Sequence, residues 1–285
     1  MLTSEMKARL KLFLADDLGQ GDVTSALVPS QNCIAIIHAK ENCTLAGLDE
    51  LTYLFSLKKC KTKLFAKDGQ IIKKGKIIAE IKGNNRAILG IERTALNIVS
   101  RMSAVATACT QARKLIGKSS VQIALTRKTL PGFNLFDKKS AVLAGVFPHR
   151  LNLSSGILVK DNHLKFFNST LEATLAVKSK RKGKRVELEV ENEQEALDAV
   201  LGGAEIIMLD NFSVTQARKT IQWIRRLNPA TKIEVSGGIT FNNLKAYSKL
   251  EPDFISLGSL THSVKGINFS LEIKKSNIKL NEIKK

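Results

Sequence analysis

The stretch Val186–Leu209, VELEVENEQEALDAVLGGAEIIML, decides the fold. Its first six residues alternate apolar and acidic side chains. That is the rhythm of a strand, with Glu187, Glu189 and Glu191 on one face. Residues 192–201 then read as a helix, and AEIIML as a second strand. Strand, helix and strand in this order are one unit of a parallel sheet with crossover helices.

The same tempo extends both ways. Upstream lie VQIAL, a helix near 134–145, GILVK and a helix near 169–179. Downstream lie a helix near 213–227, KIEVS, a helix near 241–249 and FISLG. Six strands result. Crossovers of this kind are right-handed, so the sheet can close on itself. The spacing shows six or seven units, not eight, which predicts an incomplete α/β barrel over residues 116–264. A doubly wound open sheet is the alternative.

Residues 1–115 have another rhythm. A helix with Ser4 as its N-cap and Gly19 as its stop comes first. CIAIIHAKE follows as a strand and LDELTYLFSL as a helix. Lys61–Gly83 holds short alternating runs broken at Asp68-Gly69 and Lys74-Gly75, read as antiparallel strands joined by tight turns. A long helix over 84–116 closes this half, carrying Glu92, Arg93 and Arg101 on an otherwise apolar run. Those charges interrupt any span of about 20 apolar residues, so it reads as a buried helix with polar residues placed for a purpose.

Chemistry gathers where the barrel strands end. VQIAL is followed by Thr126, Arg127 and Lys128, and GILV by Lys160, Asp161, Asn162 and His163. AEIIML leads into Asp210-Asn211. KIEV runs into Ser236, Gly237 and Gly238, and FISL into Gly258 and Ser259. In parallel βα architectures the carboxyl edge is where sites form. Arginines grip carboxylates with two hydrogen bonds, whereas lysines act as point charges toward phosphate. Arg127, Lys128, Arg150 and Lys160 therefore suit an anionic ligand. The glycine turns offer backbone N–H groups to a phosphate. Glu189 and Asp210 oppose this charge, as groups that hold sugar hydroxyls, bind Mg²⁺ through water, or offset a developing cation. His149, beside Arg150, reads as a ligand contact, whereas His163 reads more readily as structural.

Composition sets outer bounds. The 285 residues carry 45 Lys and Arg against 26 Asp and Glu, a net charge of +19. Its most basic run, Lys178–Arg185, has no interleaved aromatics, which argues against a stacking surface for single-stranded nucleic acid. The other lysines, including the tail from Lys274, read as a solvated coat. Cys33, Cys43, Cys60 and Cys109 lack metal-like spacing and read as free thiols. No secretory signal is apparent, and a cytoplasmic location is expected.

TRKTLPGF (126–133), HRLNLSSGILVKDNHL (149–164), VELEVEN (186–192), IIMLDNF (206–212), EVSGGIT (234–240) and ISLGSLTHS (255–263) resemble, in order, the quinolinate phosphoribosyltransferase family. So do ADDLGQGDVTS (15–25) and IERTALNIVSRMSAVAT (91–107). The resemblance implies an N-terminal α/β sandwich over 1–115, with 265–285 packed on it, followed by the incomplete barrel. It implies phosphoribosyl transfer from phosphoribosyl pyrophosphate to quinolinate with loss of carbon dioxide. Mg²⁺ enters with the donor.

By the same resemblance the chain is a homodimer in which Arg93 reaches the partner's pocket. Arg127, Arg150 and His149 hold the dicarboxylate together with Thr126. Lys128 and Lys160 line the anion cavity, and Glu189 and Asp210 serve the ribose. Ser236, Gly237, Gly238, Gly258 and Ser259 take the 5′-phosphate. Two features depart from the family pattern: Leu125 stands where Asp is usual, and AGVFPHR replaces a glycine-rich run. Both resemble the pyrophosphorylase-like proteins of molybdenum-transport loci, which leaves a second acceptor as the alternative. A Schiff-base enzyme using Lys128 or Lys160, and a basic nucleic-acid binder, are the readings from other classes.

Overall fold

The computed structural model describes residues 2–274. They group into two compact units. One holds the chain up to Thr107, Leu135–Ala144 and the chain from Lys265; the other holds Ala108–Asn134 and Gly145–Val264. The basic tail lies beyond the described residues from position 275 on.

In the first unit the helix Ser4–Leu18 starts one residue earlier than expected. Thr3, not Ser4, is its N-cap and accepts the Met6 N–H at 3.2 Å. Thr3 has extended backbone and can turn its hydroxyl back over the first turn, whereas Ser4 is already helical. Gly19 stops the helix with φ 50°. Met6, Leu10 and Leu14 fall on one buried stripe, as a four-residue spacing dictates.

The four-stranded sheet of this unit is antiparallel. Its strands are β1 (Asn32–Ala39), β3 (Lys61–Leu64), β5 (Ile77–Asn84) and β12 (Phe269–Ile273), in the order β12–β1–β5–β3. The strands within Lys61–Gly83 are not successive hairpin partners. β3 pairs with β5, and the intervening β4 (Ile71–Ile72) pairs instead with β2 (Cys43–Thr44). Gly69 and Gly75 do reverse the chain, with φ 81° and 86°. Gly69 N–H also donates to Leu45 O at 2.8 Å and Leu45 N–H to Gln70 O at 2.9 Å, which draws the short β4 to β2.

The long helix spans Asn85–Ile116. Its polar residues have specific partners. Thr94 donates to Asp17 at 2.7 Å, Ser103 accepts the Ala46 N–H at 3.0 Å, and Arg101 grips the carboxylate of Asp137 through Nε and Nη2. Among the described residues no helix is long and apolar enough to cross a membrane. The four cysteines are free.

The second unit is built on a six-stranded sheet. Its strands are β6 (Gln122–Ala124), β7 (Ile157–Val159), β8 (Val186–Val190), β9 (Ile206–Asp210), β10 (Lys232–Ser236) and β11 (Phe254–Ser256). Neighbouring strands pair in parallel, in the order β6–β11–β10–β9–β8–β7. Five consecutive strands thus lie side by side, and the first returns beside the last. A doubly wound sheet would reverse its order at a switch point; this one runs one way round, as a barrel does. Phe147 adds an isolated parallel bridge to Ala124 on the free side of β6, with Leu125 N–H donating to Phe147 O at 3.0 Å. The ring stays incomplete between this bridge and β7.

Candidate active site

Register decides which side chains meet. Across β8, β9 and β10, Glu189, Met208 and Glu234 stand level, and one step onward Asp210 stands level with Ser236. Neighbouring residues in a parallel ladder point the same way, so acidic side chains from three strands enter one interior. β8 is buried throughout.

A cavity of about 440 Å³ opens there. Thr126, Arg127 and Lys128 line it from the end of β6, and His149 and Arg150 from the segment before β7. Lys160, Glu189, Asp210, Glu234, Ser236 and Ser256 complete the polar wall. Leu125, Leu158 and Met208 supply apolar surface. Every cation read from the strand ends of this unit therefore converges on one space. Burial and the nearby positive charge of Arg127 both lower the pKa of Arg150. Two guanidinium groups held in mutual repulsion form a receptor for a ligand with more than one negative charge. Lys160 makes an ion pair with Glu189.

The glycine positions form the rest of the rim. Gly237 and Gly238 both have left-handed backbone, φ 77° and 61°, and Asn211 N–H donates to Ser236 O at 3.0 Å. The side chain of Asn211 donates to Asp210 at 2.7 Å, so the turns after β9 and β10 interlock. A Cβ on Gly258 would touch Lys128 Cδ at 3.1 Å; its absence lets the lysine lie across the turn. Lys128 O also accepts from Thr261 Oγ1 at 2.8 Å. Ser259 Oγ is buried with no hydrogen-bond partner among the described residues.

Some residues fall elsewhere. Glu191 does not share the face of Glu187 and Glu189, because β8 ends at Val190; its N–H donates to Glu195 at 2.8 Å instead. His163 accepts the Lys160 N–H at 3.0 Å and closes the short turn after β7. Arg93 is not among the residues lining this cavity; it lines a smaller one in the first unit, beside Asn97, Ser100 and Asn268. The basic run is partly engaged too: Lys184 donates to Ser154 O at 2.6 Å, and Arg181 pairs with Glu205.

His149 borders the cavity, but both its ring nitrogens are occupied. Nδ1 accepts the Arg150 N–H at 2.8 Å. Nε2 lies 3.3 Å from Glu234 and 3.6 Å from Glu187. Burial disfavours a charged ring, and so does the Arg150 N–H on Nδ1, whereas the two carboxylates favour one. Protonating Nδ1 would break its bond to Arg150, so with that bond kept the ring's one proton belongs on Nε2, facing the carboxylates. Glu187 is raised, first by burial.

Glu234 and Ser256, joined by a 2.5 Å hydrogen bond, lie outside the set that the strand-end pattern marks. The signal was present: counting back by two from Ser236 puts Glu234 on the same inward face.

The model of "Quinolinate phosphoribosyl transferase, C-terminal domain" matches residues 105–272, and that of the N-terminal domain matches residues 22–103. A probable nicotinate-nucleotide pyrophosphorylase [carboxylating] of Bacillus subtilis is 36% identical over 283 residues, covering 98% of this chain and 96% of that protein. The nicotinate-nucleotide pyrophosphorylase [carboxylating] of Rattus norvegicus is 30% identical, covering 95% of this chain and 91% of its own. The solved structure of the nicotinate-nucleotide pyrophosphorylase from Francisella tularensis superposes with a TM-score of 0.90 at 32% identity, covering 96% of this chain and 98% of that one. With both domain models matched in order along the chain, this protein belongs to the quinolinate phosphoribosyl transferase family.

Proposed function

We propose that the protein transfers the phosphoribosyl group of phosphoribosyl pyrophosphate to quinolinate, releasing pyrophosphate and carbon dioxide and leaving nicotinate mononucleotide, a step of NAD biosynthesis. The observation that carries this reading is the meeting of Arg127 and Arg150 with Asp210 and Ser236 in one cavity. A dicarboxylate suits the arginine side, and a sugar phosphate suits the Asp210–Gly238 side.

Charge then orders the reaction. The donor arrives as its Mg²⁺ complex. Breaking the bond between ribose C1 and pyrophosphate leaves positive character on the ribose, which Glu189 and Asp210 are placed to offset. Lys128 and Lys160 face the departing phosphates. The pyridine nitrogen forms the new bond to C1 and becomes cationic. Its charge then stabilises the electron pair left on the adjacent ring carbon when the carboxylate departs as carbon dioxide, and that pair takes up a proton. Fixed charges of this kind usually make the largest contribution to catalysis. No step calls for a protein nucleophile.

Incubating the protein with donor, Mg²⁺ and quinolinate, and measuring pyrophosphate and nicotinate mononucleotide, tests the assignment. Absence of both products rejects it.

The phosphate turn offers a sharper test. Alanine at Gly237 would place a Cβ 2.5 Å from the backbone nitrogen of Asn211 and would adopt φ 77°. Left-handed backbone alone costs a non-glycine residue about 1–2 kcal/mol. Gly237→Ala is expected to raise KM for phosphoribosyl pyrophosphate about tenfold or more, while quinolinate binding measured alone stays near that of the wild type. Equal donor KM values in the two proteins would remove the turn from the phosphate site.

We further propose that the active form is a homodimer in which Arg93 completes the partner's site. Arg93→Ala and Arg127→Ala should each be inactive as homodimers. After subunit exchange an equal mixture should recover about a quarter of wild-type activity, because half the dimers are hybrid and each hybrid has one intact site. No recovery, with exchange verified by mass, rejects the shared site.

A further inference from the structure

The buried cluster at the cavity wall, where His149, Glu234 and Ser256 line it and Glu187 lies behind, is not used by the chemistry above. Glu187 is 6% exposed and Glu234 2% exposed. They come from β8 and β10, and Ser256 of β11 donates to Glu234 at 2.5 Å. Both carboxylates converge on Nε2 of His149, at 3.6 and 3.3 Å. The second oxygen of Glu187, Oε1, is buried without a hydrogen-bond partner among the described residues. Burying a carboxylate so incompletely paired costs stability, so this one calls for an explanation.

The backbone supplies it. His149 holds left-handed backbone with φ 55°, an uncommon state for a side-chain-bearing residue. Strain of that kind persists only where the surroundings hold it. Here the ring is held at both ends: Nε2 by the two carboxylates, and Nδ1 by the N–H of Arg150 at 2.8 Å. Arg150 begins at the peptide so fixed, and its guanidinium reaches toward Gly156 O, 3.5 Å away. Glu187 also attracts Arg150 directly.

We infer that Glu187 and Glu234 are positioning residues for the acceptor: through His149 they lock the left-handed turn that aims Arg150 into the cavity. The inference rests on the proposed acceptor only for its kinetic readout. His149 then serves the dicarboxylate through Arg150 rather than by a hydrogen bond of its own.

One oxygen from each carboxylate and a His149 nitrogen lie within 4.8 Å of one another, a spacing that a divalent cation could also use. Arg150, repelled by Arg127, already attracts Glu187, and the Nε2 proton faces both carboxylates. A doubly charged ion would add to a crowded set of cations.

Glu187→Ala and Glu234→Ala are expected to raise KM for quinolinate about tenfold, the usual consequence of losing a buried hydrogen-bonded partner, with KM for the donor unchanged. Glu234→Gln, which can still accept the Nε2 proton, should restore most of the loss. A rise of both KM values together, or wild-type quinolinate binding by a folded Glu187→Ala/Glu234→Ala protein, overturns the inference.

A second measurement uses the wild-type chain, so the folding of variants does not enter. Nitrogen NMR of labelled histidine, with His149 assigned, should show a bare Nδ1 and a protonated Nε2, both unchanged by quinolinate. A His149 nitrogen that responds to quinolinate as a direct partner overturns the inference. So does a stoichiometric divalent metal in the purified protein. If the wild type neither binds nor converts quinolinate, the proposed function fails instead. The tautomer and the His149 backbone in a crystal of unliganded Glu234→Ala still decide the positioning role, which predicts loss of the left-handed turn.

Discussion

Arg150→Ala is expected to lower kcat/KM for quinolinate by about 10²–10³, the scale on which a fixed charge serves a reaction, about 2–4 kcal/mol. The side chain is half-buried on the cavity wall beside Arg127. Holding two guanidinium groups there keeps Arg150 below its ordinary pKa, by burial and by the charge of Arg127. That repulsion is relieved when a dianion binds, so the pair discriminates in favour of two carboxylates over one. Arg150→Lys should recover little, because an ammonium cannot make the parallel pair of hydrogen bonds. The loss should appear with quinolinate and not in direct binding of phosphoribosyl pyrophosphate. A variant that keeps wild-type kcat/KM would remove Arg150 from the acceptor site.

Arg101→Ala should destabilise the first unit by about 3–5 kcal/mol, the range for removing one partner of a buried ion pair. Arg101 meets Asp137 through two bonds, at 3.0 and 2.8 Å, and the Asp137 side chain is 0% exposed. Burial already holds Asp137 above the usual carboxylate pKa, although Arg101 pulls it down. Without Arg101 the folded value rises further. An acid whose pKa is higher folded than unfolded binds more protons when folded, so stability falls as pH rises above the unfolded value. The penalty of Arg101→Ala should therefore be smaller near pH 5 than near pH 8, as measured by denaturant unfolding. Adding Asp137→Asn should recover part of it. A penalty independent of pH would show that lost packing, not the stranded carboxylate, is responsible.

This arginine shows what a sequence can and cannot disclose. A charge within an apolar helix signals a specific partner, and that much is legible in residues 91–107. Its partner, on a helix some 36 positions later, is not. The same holds in the second unit. Alternation in Val186–Val190 gives a strand with two inward carboxylates, and the polar residues ending each strand mark the rim. Glu234 had an equal claim by its phase within KIEVS, but nothing local ties it to a histidine before β7. Nor does local pattern say that β4 leaves its sequence neighbours for β2, or that β12 pairs with β1.

The order of strands and helices, the incomplete ring of parallel units and the cations, carboxylates and glycines of the mouth were set by the chain itself. Each depends on side-chain periodicity or on turn chemistry within a few residues. Which carboxylate holds His149, which strand accepts β4 and which helix receives Arg101 were settled only on folding. Those pairings join residues far apart in the chain, and a partner is chosen by register and closure, which no short stretch of sequence contains.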